Sequence, residues 1–188
     1  GIPNNKGATR TIDIVNRSLT RRYKAEQRFR LYGVSAIALS LIFLSFLFIS
    51  IIGKGYPAFH KTFIQLDIFY DPDVLRQDAL ATADYSALVK ASLRKTFPEV
   101  SGRSDRGKLY RLVSYGAVYQ LREMVLKDPD VIGRTQPVWV PADDDVDMLI
   151  KGHADRKAPE GERRINDKQL SWLETLENDN RIEKRFNR

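Results

Sequence analysis

The run Leu31-Tyr-Gly-Val-Ser-Ala-Ile-Ala-Leu-Ser-Leu-Ile-Phe-Leu-Ser-Phe-Leu-Phe-Ile-Ser-Ile-Ile52 contains no charged residue, no proline and no Asn or Gln. As a helix its 22 residues would reach about 33 Å at 1.5 Å per residue, enough to cross a hydrocarbon core of about 30 Å. Its four serines are tolerable because a helical serine can return its hydroxyl to a backbone carbonyl one turn earlier. A cleavable signal sequence has an apolar region of only about 7–15 residues followed by a small-residue cleavage site. Here the leader is thirty residues long and Gly53-Lys-Gly-Tyr-Pro57 follows. A buried helix of a soluble domain this small would not be apolar on every face. The stretch therefore predicts one membrane-spanning helix, Leu31 to Ile52.

The charges around it are uneven. Residues 1–30 carry Lys6, Arg10, Arg17, Arg21, Arg22, Lys24, Arg28 and Arg30 against only Asp13 and Glu26, a net +6; from Lys54 onward the balance is +1. The net charge of +7 thus belongs to a tail rather than to a basic folded module, which argues against nucleic acid as a partner. Arg21, Arg22, Lys24, Arg28 and Arg30 stand just before the span and only Lys54 and Lys61 close after it. By the positive-inside rule the N-terminus is cytoplasmic and the C-terminal part lies outside. Tyr32 and Tyr56 fall near the two interfaces, where aromatic rings are favoured.

Residues 1–20 show no sustained period and read as a mobile segment. The stretch from about Thr11 to Phe29 is amphipathic, suited to lie on an anionic leaflet; the same cations serve equally as a plain topology signal. Beyond the span, Phe63–Tyr70 alternates as a strand with Ile64, Leu66, Ile68 and Tyr70 on one face. Asp84 caps a helix carrying Tyr85, Leu88, Val89, Leu93 and Phe97, which ends before Pro98. Lys108 to Lys127 reads as one helix with Leu109, Leu112, Val113, Gly116, Tyr119 and Met124 inward. Pro137–Pro141 reads as a short strand, Asp143–Gly152 as a short helix, and His153–Arg164 as a charged loop. Asp167 is expected to cap a last helix bearing Leu170, Leu173 and Leu176, and Arg181–Phe186 a last strand. Trp139 and Trp172 are expected in the core. The sum is a helix-dominated α+β domain: residues 1–30 a basic cytoplasmic tail, 31–53 the transmembrane helix, 54–188 an extracytoplasmic domain long enough to bury its own core.

Motifs for chemistry are sparse. The absence of cysteine excludes disulfides, thiol catalysis and cysteine-bound metal. Gly102-Arg-Ser-Asp-Arg-Gly-Lys108 fits seven positions of a phosphate-binding P-loop, but the eighth, which needs Ser or Thr, is Leu109; the stretch reads as a flexible turn. Asp143, Asp145 and Asp147 match the start of a calcium loop, yet Met148 stands where glycine is required and Ala154 where glutamate is. These carboxylates suit the positive end of the helix they open. His60 and His153 are the only histidines, and neither a zinc-peptidase nor an α/β-hydrolase motif is present. Arg103, Arg106 and Arg111 cluster near a helix start and are weak candidates for an anion site. No cofactor or metal is expected, and no catalysis by this chain.

One ordered series is more distinctive. Arg21-Arg-Tyr-Lys-Ala-Glu-Gln-Arg-Phe-Arg-Leu-Tyr-Gly33, the span, Lys54-Gly-Tyr-Pro-Ala-Phe59 and Gln65-Leu-Asp-Ile-Phe-Tyr-Asp-Pro72 resemble the N-terminal extension of the PstA-type permease subunit of bacterial phosphate ABC transporters, in the long-extension form of many proteobacteria. Val138-Trp-Val-Pro-Ala142, Asp145-Val-Asp147, Lys151-Gly152 and Ile182-Glu-Lys-Arg-Phe-Asn187 continue it. The resemblance implies inorganic phosphate import across the inner membrane. Its partners would be a second permease subunit, a pair of cytoplasmic ATPase subunits and a periplasmic phosphate-binding protein. It also implies that a multi-span core would follow Arg188, so that this chain is a first span plus a periplasmic insertion serving anchoring, assembly or contact with the binding protein. No phosphate-contacting residue carries over, since that core holds them. The alternative is a single-pass inner-membrane protein with a periplasmic sensing or scaffold domain.

Overall fold

The computed structural model of the chain describes residues 6–186, with side chains from residue 10. These divide into two compact units, one ending at Gly55 and one beginning at Tyr56.

The first unit is a single helix, α1 (Lys6–Gly55). No glycine or proline interrupts it between Ala8 and Tyr32, and its alanine, leucine, arginine and lysine residues favour helix. The mobile segment expected over residues 1–20 is therefore corrected from Lys6 onward; residues 1–5 lie outside the described residues. The amphipathic pattern from Thr11 to Phe29 is that of a helix, and continuity with the apolar run removes the cost of starting a helix afresh. Within the expected span, Ser40 and Ser45 donate their hydroxyls to the carbonyls of Ala36 and Leu41, each at 2.8 Å. Ile37, Leu39, Phe43, Phe46 and Ile49 are all exposed. The helix is long and apolar enough to cross a membrane.

The second unit is α+β, built on a three-stranded antiparallel sheet of order β2-β1-β3. The central strand β1 (His60–Phe69) alternates strictly: Thr62, Ile64, Leu66 and Ile68 are buried, while Phe63, Gln65 and Asp67 on the other face are half-buried. Alternation of this kind places every second side chain on one face. Strand β2 (Thr135–Pro141) pairs so that Leu66 faces Val138 and Ile64 faces Val140. Strand β3 (Ile182–Phe186) pairs on the other side, with Thr62 facing Lys184 and His60 facing Phe186.

Helices cover the buried face. α2 (Tyr85–Thr96) starts at Asp84, whose side chain accepts from the Ala87 N–H, and it buries Tyr85, Leu88, Val89 and Leu93 as its spacing predicts. Ser92 ties it across the sheet by donating to the Asp67 carbonyl at 2.8 Å. α6 (Asp167–Asn178) adds Trp172, Leu173 and Leu176 to the same core. Its cap is Asn166 rather than the expected Asp167. Asn166 and Gln169 bond each other's backbone N–H groups in a capping box, and Asp167 is the first helical residue. Asparagine three residues before glutamine satisfies two orphan N–H groups where aspartate one position later satisfies none.

The helix expected over Lys108–Lys127 is two helices, α3 (Arg103–Tyr110) and α4 (Gly116–Lys127). Between them the chain turns to pair with the end of β2: Val113 bridges Ala142, Ser114 N–H donates to the Pro141 carbonyl, and Asp143 N–H donates to the Leu112 carbonyl. Gly116 begins α4 where an added Cβ would lie in ordinary van der Waals contact with the Pro141 ring, at 3.4 Å. The break rotates the buried face. Ala117, Leu121 and Val125 point inward, Tyr119 is exposed, and Met124 is only half-buried.

Trp172 is buried as expected, but Trp139 is not a core residue. It lies between the inward Val138 and Val140 and so projects from the opposite sheet face, half-buried, with the Arg185 guanidinium 4.6 Å from its ring centroid. That geometry is a cation–π contact.

Candidate functional site

Three groups of residues could carry function: the basic segment of α1, the acidic opening of the short helix after β2, and the lower end of the sheet next to Tyr56.

On α1, helical geometry sorts the cations. At 100° per residue, Arg10, Arg17, Arg21, Lys24 and Arg28 fall within an arc of about 60° and run some 27 Å along the helix. Ile12, Val15, Leu19 and Tyr23 occupy the opposite side; they are exposed. Of the five residues expected to signal topology, Arg21, Lys24 and Arg28 join this stripe, whereas Arg22 and Arg30 fall on the apolar side. Arg10 and Arg17 were not singled out from the sequence. The signal that places them is their spacing of seven, four, three and four residues, a helical period visible in the sequence.

The acidic run does three different jobs. It opens α5 (Asp144–Ile150). Asp143 caps that helix by accepting from the Asp145 N–H at 3.0 Å; its burial pushes its carboxyl up from the ordinary value. Asp145 meets Arg164 at 3.2 Å. Asp147 accepts from the Thr62 N–H at 2.8 Å and pairs with Lys151 at 2.7 Å. Burial alone would raise the Asp147 carboxyl, but its hydrogen bonds from Lys151 and Thr62 outweigh that and hold it below the usual range. The three carboxylates diverge, and no group of three potential metal-ligating side chains occurs among the described residues. Gly152, at φ +81°, stops the helix as expected.

The candidate anion site is only partly assembled. Arg103 and Arg106 lie one turn apart on α3, both exposed, while Arg111 follows the far end of the same helix. The residues between them are engaged elsewhere: Asp105 pairs with Lys168 at 2.8 Å, and the Lys108 carbonyl accepts from Gln169 at 3.0 Å. The stretch Gly102–Lys108, expected as a flexible turn, is the start of α3 with Gly102 as its cap at φ +88°. It forms no phosphate-cradling loop.

At the lower end of the sheet, a short 3-10 turn (Tyr56–Phe59) leads into β1 and gathers aromatic rings. The Tyr56 and His60 rings lie 4.7 Å apart, Phe59 stacks on Phe186 at 6.1 Å, and His60 meets the edge of Phe186 at 5.8 Å. His60 Nδ1 lies 3.2 Å from the Tyr56 carbonyl oxygen. Beside these rings Tyr56, Pro57, His60, Lys151 and Lys184 line a cleft of about 420 Å³. Periodicity could not reveal this cluster, because β3 closes it from 126 residues further along the chain, where Phe186 pairs with His60. His153 is exposed in the loop after α5.

No curated protein and no solved structure matches the chain. A family does match, over residues 16–160. That range takes in the basic stripe from Arg17, the apolar stretch and the second unit as far as the loop before α6, so helix and folded unit recur together. Over more than half its length this chain matches, and thus belongs to, the family described as a domain of unknown function, DUF3333.

Proposed function

We propose that the chain is anchored in the bacterial inner membrane by Leu31 to Ile52, with the basic part of α1 in the cytoplasm and the second unit in the periplasm. The observation that carries this reading is a stretch of uncharged residues exposed along the middle of one helix, with a charge of +6 on one side and near neutrality on the other. Each large apolar side chain removed from water contributes about 1.5–3 kcal/mol, so a lipid environment is the state that such a helix favours. The cations then set the direction of insertion.

Within that frame the chain serves as the N-terminal part of a phosphate importer's permease subunit. It catalyses nothing itself and contributes anchoring, assembly or contact with the phosphate-binding protein. Support comes from where the resembling strings fall. Gln65–Pro72 overlaps the second half of β1, Val138–Ala142 overlaps β2, Asp145–Asp147 lies in α5, and Ile182–Phe186 is β3; Asn187 lies outside the described residues. The strings thus touch all three strands of the sheet and its salt-bridged corner.

The test is gentle solubilisation of native membranes containing the tagged chain, followed by identification of what co-purifies. The permease reading predicts a pair of ATPase subunits, a second multi-span subunit and, with phosphate present, the phosphate-binding protein. A stable complex lacking any ATPase subunit would contradict it and favour a single-pass sensing or scaffold protein.

A further inference from the structure

The cleft beside Tyr56 has a chemistry that neither anchoring nor transport accounts for. Its walls combine amphipathic rings, Tyr56 and His60, with two ammonium groups, Lys151 and Lys184. Lys151 is nearly buried and already paired with Asp147. Lys184 forms no salt bridge among the described residues and is exposed. Lys61, which pairs with Arg185 across β1 and β3, adds positive charge to the same end of the sheet, on the face opposite Lys184. The nearby acids are occupied: Asp147 by Lys151 and the Thr62 N–H, Glu183 by Arg185 at 2.9 Å, and Glu177, which also feels the charge of Lys184, by Arg156 at 2.7 Å. Lys184 is left as the cleft's cation without an ion pair among the described residues.

The rim is apolar. Tyr56, Phe59 and Phe186 are 57–59% exposed, although their rings contact one another. A small soluble anion makes no use of such rings. A lipid does, because aromatic side chains favour the headgroup level and lysine stems reach along apolar surface to place their charge there. Chain connectivity agrees. His60 follows Gly55 by five residues, so it stays within about 18 Å of the end of α1 even if fully extended.

We propose that the cleft and its aromatic rim seat the phosphate headgroup of an anionic phospholipid, with Lys184 as its principal cation and Tyr56, Phe59 and Phe186 in the interfacial layer. This rests on the membrane-spanning reading of α1.

The test uses the full chain in lipid nanodiscs. Since the protein has no cysteine, one fluorescent label can be placed by Glu183→Cys, next to Lys184, and in a control by Thr135→Cys at the other end of the sheet. Quenching by headgroup-nitroxide lipid is followed as phosphatidylglycerol replaces phosphatidylcholine. The label at 183 is expected to be quenched increasingly with phosphatidylglycerol, and the label at 135 to respond little. Adding Lys184→Gln should raise the phosphatidylglycerol fraction needed for half-maximal quenching about fivefold, the worth of one interfacial cation. Equal quenching at both positions, or a Lys184→Gln titration that matches the parent, would overturn the proposal. So would a response at 183 to inorganic phosphate in pure phosphatidylcholine that phosphatidylglycerol fails to produce, since the site would then serve a soluble anion. Vesicle flotation separates the two levels. A chain that inserts but shows no lipid-dependent quenching refutes only the headgroup site, whereas a chain that does not float refutes the span and the site with it.

Discussion

Asp147 is the residue on which the lower end of the second unit turns. It fixes the first residues of β1 through the Thr62 N–H and neutralises the nearly buried Lys151. Hydrogen bonds to charged groups contribute about 1.5–3 kcal/mol, and removing one partner leaves the other unsatisfied. Asp147→Asn should therefore cost about 1–3 kcal/mol at neutral pH, measured by denaturant unfolding followed through the fluorescence of Trp139 and Trp172. The pH dependence has a definite sign. Hydrogen bonding holds the folded Asp147 carboxyl below the 3.8 of the unfolded chain, so as pH falls the unfolded state takes up the proton first and stability is lost. The contribution is complete above the unfolded value and disappears as pH falls through the folded one. Asp143 acts oppositely, because burial raises its carboxyl. The diagnostic is thus the gap between the parent and Asp147→Asn, which should narrow below pH 3.8. A gap independent of pH would contradict this assignment. The helix-opening role of the acidic run was legible from local sequence. The duty of Asp147 was not, since its partner Thr62 lies 85 positions away.

At the scale of elements, the break between α3 and α4 decides which side chains form the core. An uninterrupted helix would turn Tyr119 and Met124 inward, whereas the observed one buries Leu121 and Val125. Leu121→Ala should destabilise the unit by about 2–5 kcal/mol, as expected for a fully buried leucine. Tyr119→Ala should cost about 1 kcal/mol at most, for loss of its edge contact with Tyr115. The reverse order in an unfolding series would restore the single helix. Elements whose inward residues repeat cleanly were readable in advance: Ile64, Leu66, Ile68 and Tyr70 in and beyond β1, and Tyr85 to Phe97 around α2. The break was not, because Leu112 and Val113 fit a helical face and a strand-pairing turn alike, and Pro141 supplies the competing hydrogen bond from β2. Trp139 lies outside the core because period-two alternation, and not residue type, decides which face of β2 a side chain takes. The aromatic cleft was invisible for the same reason as the Asp147 contact: strand pairing assembles it from the two ends of the second unit.

For the whole molecule, the two units divide the labour that the sequence suggested. One is a helix whose apolar middle has no folded partner among the described residues, and the other is a domain with its own core. The central claim is that the first crosses a membrane and leaves the second outside. Ser18→Cys and Thr135→Cys, each then the sole cysteine in the chain, report on the two sides. A membrane-impermeant maleimide applied to intact spheroplasts is the most direct measurement. The account predicts labelling at 135 before lysis and at 18 only after it; labelling at 18 on intact spheroplasts, or at 135 only after lysis, would contradict it.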